Sequence, residues 1–124
     1  SNEASPFSGL LRLTLTTDET TVTVAGTLFE DDRARVVEVD GAAVEFYPEG
    51  RLLALRNRDV PGVVGRLGTI LGRADVNIAG IHLGRTKDRD SAISIIDVDH
   101  PVPAEAIREI ESFEEITRVR AVVI

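Results

Sequence analysis

The sequence contains no cysteine, no methionine and no tryptophan, and it has only two histidines. Without cysteine, the chain can form no disulfide, no thiolate nucleophile and none of the common structural zinc sites. His82 and His100 lie too far apart in sequence for a metal-binding motif such as H-E-x-x-H. We therefore expect no metal site, and local spacing provides no set of nucleophile, base and orienting residue for catalysis.

The absence of methionine has a separate consequence, because translation starts with that residue. The chain begins Ser1-Asn2-Glu3, which is typical of a protease-cleavage scar followed by a chosen boundary. We therefore expect an excised fragment whose activity belongs to a larger parent protein. A native chain that is processed at its N-terminus is the alternative.

Acidic residues outnumber basic ones by 21 to 14, and the net charge of −7 disfavours nucleic-acid binding. No apolar run approaches the ~20 residues of a membrane span, and no signal peptide is visible. These features predict a cytoplasmic protein that binds neither nucleic acid nor membrane. The 124 residues suffice for one domain, or for one domain and part of another.

The first third of the chain has the pattern of an all-β segment. Leucines alternate with polar residues in LLRLTLTT, and TTVTVAGTLF is rich in β-branched residues. Acidic turns are expected at 18–19 and 30–32. Apolar alternation on both sides of Asp40-Gly41 predicts a hairpin with a type I′ turn.

Pro48-Glu49-Gly50 is the expected domain boundary, between residues 1–48 and residues 49–124. Beyond it, the pattern changes to strand, helix, strand, strand, helix, strand. An apolar face predicts the first helix and consists of Val63, Val64, Leu67, Ile70, Leu71 and Ala74. Pro103 opens the second, shorter helix. This βαββαβ order predicts a ferredoxin-like α+β fold, with a four-stranded antiparallel sheet and two helices on one face.

Glycines recur along the first helix, but they do not form a nucleotide-binding motif. Gly62-x-x-Gly65-x-x-Gly68 differs from the G-x-G-x-x-G fingerprint, and no P-loop is present. A glycine inside a helix costs up to about 1 kcal/mol relative to alanine. We therefore expect a neighbouring backbone to approach Gly65, Gly68 and Gly72 closely.

The start of this helix is a candidate binding site. If Pro61 is the first helical residue, Val60 is the N-cap and offers no side-chain acceptor. The amides of Gly62 and Val63 are then free to bind an anion such as a carboxylate, with the help of the helix dipole.

Three polar residues complete the candidate site. Asp59 offers a carboxylate to an ammonium group, and Asn57, two residues earlier, lies on the same strand face. Asn77, at the far end of the helix, offers a second amide. Together these groups describe a receptor for a free amino acid. In the alternative, Asp59 only caps the helix start and Asn77 only satisfies the helix end.

The remaining polar residues are expected to have structural roles. His82, in the middle of a strand, is interpreted as a half-buried and satisfied histidine. Asp97 and Asp99 are expected to end a strand at solvent. Three arginines of the first half suggest either an anion patch or, as the simpler interpretation, a solvated strand edge: Arg33, Arg35 and Arg51.

RNRDVPGVVGRLGTILGRADVNIAGIHLGR resembles the ACT domain, a ligand-sensing module of amino-acid metabolism. The preceding VAGTLFEDDRARVVEVDGAAVEFYPEGRLLALRN is similar to the end of the intervening, allosteric-substrate-binding domain of long-type D-3-phosphoglycerate dehydrogenases. The combination of N-x-D-x-P-G, VNIAG and VAGT carries the resemblance, which covers residues 8–124.

This resemblance implies the C-terminal regulatory region of an enzyme that oxidises 3-phosphoglycerate with NAD, the first committed step of serine biosynthesis. The NAD-binding and catalytic residues would lie in other parts of that enzyme, so this chain itself would be non-catalytic and would hold no cofactor. Two alternatives stay open. One is an ACT module that only joins subunits, and the other is the similar C-terminal region of an iron–sulfur L-serine dehydratase.

The resemblance also implies an effector and a partner. ACT domains of this family bind L-serine as a feedback inhibitor, commonly where two sheets join side by side in a homodimer. The family's serine-contacting positions fall on Asn57, Asp59 and Asn77, and the chain departs from the family at Asn57, where histidine or tyrosine is common. With the helix start, the expected site for L-serine or another small amino acid comprises Asn57, Asp59, Pro61, Gly62, Val63 and Asn77.

Overall fold

The computed structural model of the chain describes residues 11–16, 21–28 and 33–124. Their elements follow in the order β1 (Leu11–Thr16), β2 (Thr21–Leu28), β3 (Ala34–Val39), β4 (Ala42–Phe46), β5 (Arg51–Arg58), α1 (Val63–Arg73), β6 (Ile78–Arg85), β7 (Ser91–Val98), α2 (Ala104–Glu111) and β8 (Ile116–Val123). None of the helices in these ranges has the length and apolar character needed to cross a membrane.

The strands form two four-stranded antiparallel sheets, and the second confirms the predicted ferredoxin-like α+β fold. The N-terminal sheet has the order β1-β2-β3-β4, and the C-terminal sheet has the order β6-β7-β5-β8. In the C-terminal sheet, β5 pairs with both β7 and β8, and β6 pairs with β7. The strands β6 and β8 are therefore its edges.

The helices cover one face of the C-terminal sheet. The buried side chains of this layer come from α1, α2 and the facing positions of the strands, and they include Leu53, Leu55, Leu67, Ile70, Leu71, Ile96, Ala106 and Ile110. The predicted apolar face of α1 is confirmed except at Val64, which is 44% exposed. Val64 lies at the rim of the helix face, next to the cleft described below.

A tight hairpin joins β3 and β4, as the sequence predicts. Asp40 and Gly41 both have positive φ values, of 50° and 81°, which is the conformation of a type I′ turn. The side chain of Asp40 also forms an ion pair with Arg56 of β5, with 3.7 Å between Oδ2 and Nη1. The two predicted acidic turns, at 18–19 and 30–32, lie outside the described residues.

The N-terminal sheet packs against the second face of the C-terminal sheet. Side chains of β3 and β4 meet those of β5 and β7 in a second buried layer, formed by Val36, Ala42, Val44, Phe46, Leu52, Ile93 and Ile95. Strand β7 is thus covered on both faces, which explains why six of its eight residues are buried. The boundary expected near Pro48 is therefore bridged by a shared core.

The backbone of β4 approaches Gly84 of β6 so closely that a side chain would not fit there. A Cβ atom at Gly84 would lie 2.3 Å from the carbonyl oxygen of Ala43 and 3.0 Å from Cβ of Val44. The expected close approach to the helix glycines is wrong. Among the described residues, nothing lies within 4 Å of a Cβ placed at Gly65, Gly68 or Gly72, because these glycines face away from the sheet.

Replacing Gly84 with alanine is expected to destabilise the chain by about 1–3 kcal/mol, because the methyl group must displace the backbone of β4. Urea unfolding of the variant and the wild type measures this difference. Gly72→Ala is the matched control, and its higher helix propensity should leave stability equal or raised by up to about 1 kcal/mol. Equal stability of Gly84→Ala and the wild type would contradict the packing of β4 on β6.

Candidate functional site

The chain turns sharply between β5 and α1, and this turn sets where the helix begins. The N–H of Val60 donates to the carbonyl of Arg58 at 2.9 Å, and Gly62 has a φ of 93°. Glycine adopts this left-handed conformation without the steric cost that a side chain would add. Gly62 is the N-cap and Val63 the first helical residue, so the predicted assignment of Pro61 to the first turn and Val60 to the cap is wrong.

The start of α1 nevertheless remains without a side-chain cap, as the sequence predicts. Gly62 has no side chain, and no side-chain hydrogen bond caps this helix end. The first N–H groups of a helix have no partner within the helix. Those of Val63, Val64 and Gly65 are therefore available to an anion, and the helix dipole favours negative charge there.

A cleft of about 380 Å³ opens at this end of α1. Its walls come from the end of β5, the turn, the first turn of α1 and the end of β6, through Asn57, Asp59, Val60, Pro61, Gly62, Val63, Val64, Gly65, Leu83 and Arg85. The volume suits a small molecule. Five of the six predicted site residues thus line one cleft, and the sixth, Asn77, does not.

Asn57 forms part of the buried base of the cleft. It is 3% exposed, and its Oδ1 accepts a hydrogen bond from the hydroxyl of Ser94 at 3.1 Å. Its Nδ2 donates to the carbonyl of Arg58 at 3.0 Å. These bonds fix the amide, so that Asn57 anchors the end of β5 to β7 and presents a rigid polar surface.

Asp59 carries the negative charge of the cleft, and it is paired with a residue that the sequence did not single out. Its Oδ2 lies 2.8 Å from Nε of Arg85, the last residue of β6. The side chain of Asp59 is 24% exposed and that of Arg85 is 67% exposed. No side-chain hydrogen bond caps α1, so the alternative in which Asp59 caps the helix start is wrong.

Asn77 lies at the opposite end of α1 from the cleft. The 11 residues of the helix separate them, a length of about 16 Å. The N–H of Asn77 donates to Oδ1 of Asp99, and the N–H of Asp99 donates to the carbonyl of Asn77. A hydrogen bond from His100, assisted by the one from Asn77, lowers the pKa of the Asp99 carboxyl. Within one chain, Asn77 cannot reach a ligand in the cleft.

The half-buried histidine is confirmed, and it has an acidic partner. Nε2 of His82 lies 2.9 Å from Oδ2 of Asp97, and each side chain is about one-third exposed, at 32% and 34%. The expectation that Asp97 ends the strand at solvent is wrong, because β7 continues to Val98 and pairs there with Ile78. Asp99 follows the strand and is exposed, as expected.

The arginines of the first half do not form an anion patch. Arg33 pairs with Glu49 and stacks 3.5 Å from the centre of the Tyr47 ring. Arg35 donates to the hydroxyl of Tyr47 and lies 3.6 Å from Glu45, whereas Arg51 is exposed at the start of β5. The described residues contain no group of three or more acidic, histidine or cysteine side chains that could hold a metal ion.

An apolar surface adjoins the cleft along the open edge of β6. Ile81 and Leu83 are 43% and 45% exposed, and they lie on the same face of the strand. Val60 and Val64, on the wall of the cleft, are 36% and 44% exposed. We call these four residues the edge surface. It combines exposed aliphatic side chains with the unpaired backbone of an edge strand.

Comparison with known proteins defines the class to which this fold and cleft belong. Residues 51–115 match the family model of the ACT domain, which is just over half of the 124 residues. The chain belongs to the ACT domain family.

Three relatives that the chain resembles share one name. Over 122 residues, or 98% of this chain, it is 31% identical to D-3-phosphoglycerate dehydrogenase of Bacillus subtilis. It is 29% identical to the enzyme of that name from Methanocaldococcus jannaschii over the same length, and 33% identical to that from Synechocystis over 104 residues. The chain spans only 23%, 23% and 19% of the length of these three relatives.

Proposed function

We propose that this chain is the L-serine-sensing and dimerising regulatory region of an NAD-dependent D-3-phosphoglycerate dehydrogenase. The observation that carries the proposal is the cleft at the start of α1, where an acidic side chain faces an uncapped helix start. Membership of the ACT domain family and the shared name of the relatives support it. NAD and 3-phosphoglycerate would bind in other parts of the enzyme, and this region would contribute no catalytic residue.

The cleft offers complementary groups to each part of L-serine. The N–H groups of Val63 and Val64 can donate to its carboxylate, and the carboxylate of Asp59 can accept from its ammonium group. Pro61 and Gly62 form part of the wall, and Gly62 has no side chain to block the approach of a ligand. The rigid amide of Asn57 faces the remaining polar atoms, at the base of the cleft.

A second copy of the chain would complete this site. An antiparallel pairing of β6 with the same strand of a partner sets the beginning of one strand beside the end of the other. The partner's Asn77 would then approach the cleft from across the interface. The edge surface supplies the apolar contact for such a pairing, which would join two C-terminal sheets side by side.

This arrangement provides a physical basis for feedback control. A ligand that contacts both copies binds more tightly to the arrangement in which the two cleft halves meet. Its differential affinity shifts the equilibrium of the parent enzyme between arrangements, with a coupling free energy of typically 1–3 kcal/mol.

A second candidate function is assembly without effector binding. It is favoured by the fact that polar groups of the cleft already have partners within the chain, since Asn57 binds Ser94 and Asp59 binds Arg85. In this case the edge surface alone would have a function, the joining of subunits.

Calorimetric titration with L-serine separates the two candidates. The sample's mass is measured by light scattering, and D-serine and glycine serve as controls. Saturable binding of L-serine to a dimer, with weaker or no binding of D-serine, is the expected result. A dimer that binds none of these amino acids would overturn the sensing function and leave the assembly function.

A further inference from the structure

Arg85 lines the same cleft as the start of α1. It is the last residue of β6 and pairs across the sheet with Ala92 of β7. Asn57 pairs with the same Ala92 from the other side of β7. Arg85 and Asn57 are therefore at the same level of the sheet, and the register of the strands fixes Arg85 beside the cleft.

The contact between Arg85 and Asp59 leaves much of both groups available. The ion pair joins Nε of Arg85 to Oδ2 of Asp59 at 2.8 Å. Among the described residues, Arg85 forms an ion pair with Asp59 alone, and only through Nε. The two terminal nitrogens of Arg85 and Oδ1 of Asp59 can therefore face a ligand. A partly exposed ion pair is weak, and a ligand can rearrange it at little cost.

The exposures of the two side chains indicate that the negative charge lies deeper in the cleft than the positive charge. The carboxylate of Asp59 is the more buried, at 24% exposure, and the guanidinium of Arg85 is at the mouth, at 67%. An α-amino acid carries an ammonium group and a carboxylate on one carbon atom. It can therefore contact both members of the ion pair at once, with its ammonium group inward and its carboxylate at the mouth.

We propose that Arg85 binds the carboxylate of the effector together with the N–H groups at the start of α1, and thereby restricts the cleft to zwitterionic α-amino acids. The inference rests on the proposed amino-acid-binding function and adds a specificity-determining residue to it. A guanidinium donates in a planar fork that matches a carboxylate. It supplies a full positive charge where the helix start supplies only partial charges.

The test compares L-serine with L-serinamide, in which a neutral carboxamide of nearly the same shape replaces the carboxylate. Both are titrated into the 124-residue chain and its Arg85→Gln variant, by calorimetry and by NMR at high ligand concentration. Arg85→Gln should weaken L-serine binding by about 10- to 100-fold, as expected for the loss of a charge-assisted hydrogen bond. The affinity for L-serinamide should change by less than about 3-fold, since this ligand has no negative charge for Arg85 to bind.

Two further variants control for indirect effects. Arg85→Lys keeps the positive charge and should recover part of the L-serine affinity. Arg108→Gln removes an equal charge from the exposed face of α2 and should leave both affinities unchanged.

Two outcomes would overturn the inference while the proposed function stands. Unchanged L-serine affinity in Arg85→Gln would exclude the carboxylate contact. Equal losses for L-serine and L-serinamide would mean that Arg85 only holds Asp59 in position. A wild-type chain that binds neither ligand would instead overturn the proposed function itself, and the inference with it.

Discussion

Replacing Asp59 with alanine is expected to lower the affinity for L-serine by at least about 100-fold, because it removes the acceptor of the ligand's ammonium group. Loss of one partner of a buried charge pair typically costs 2–5 kcal/mol in binding. Asp59 is the acidic residue of the cleft and is only 24% exposed, so water replaces it poorly. Calorimetric titration of the variant with L-serine measures the loss.

The fold should survive this change. The partner of Asp59 in the ligand-free chain, Arg85, is 67% exposed and remains hydrated when its ion pair is lost. Exposed ion pairs contribute about 0–1 kcal/mol, so the melting temperature should shift by only a few degrees. Glu114→Ala removes an equal charge from an exposed position outside the cleft and is the matched control. Wild-type affinity in Asp59→Ala would contradict the assignment of the ammonium site.

A double substitution in the edge surface, Ile81→Lys with Leu83→Lys, is expected to convert a dimer into a monomer. The two side chains are 43% and 45% exposed in the single chain, and a partner strand would bury them. Lysines at both positions replace apolar contact with two charges in each copy, which repel across the two-fold axis. Light scattering or sedimentation at matched protein concentrations measures the change in mass.

The opposite edge of the same sheet provides the control. Ala121→Lys with Val123→Lys places the same charges on alternate, exposed positions of β8. This variant should keep the wild-type mass. If it dissociates and the β6 variant does not, the dimer forms through β8. If the monomeric β6 variant still binds L-serine with wild-type affinity, the cleft is complete within one chain and the partner's Asn77 plays no part.

The sequence predicted the second half of the fold because its elements follow local rules. The apolar face of α1 follows the helical period, and Asp40-Gly41 adopts the positive φ values that a type I′ turn requires. The start of α1 was placed two residues too early. Proline favours a first helical turn, but the turn from β5 needs the positive φ of Gly62, and local propensity does not show that requirement.

The candidate site was predictable only where its residues are close in sequence. Asn57, Asp59 and Gly62 lie within six positions and line one cleft. Arg85 was missed, because its place beside Asp59 depends on the register of β6 and β7. The close contact of Gly84 with Ala43 was missed for the same reason, since it depends on the packing of two sheets.

The strand order of the C-terminal sheet has a consequence for the order in which the molecule can fold. Strand β5 lies between β7 and β8, which both follow it in the chain, and β8 is the last element. As the chain leaves the ribosome, Leu53 and Leu55 stay without one neighbouring strand until residues 116–123 emerge. Pairing across such sequence distances is slow and leaves apolar strands open to aggregation. Stalled or truncated synthesis should therefore yield insoluble chains rather than a smaller folded unit.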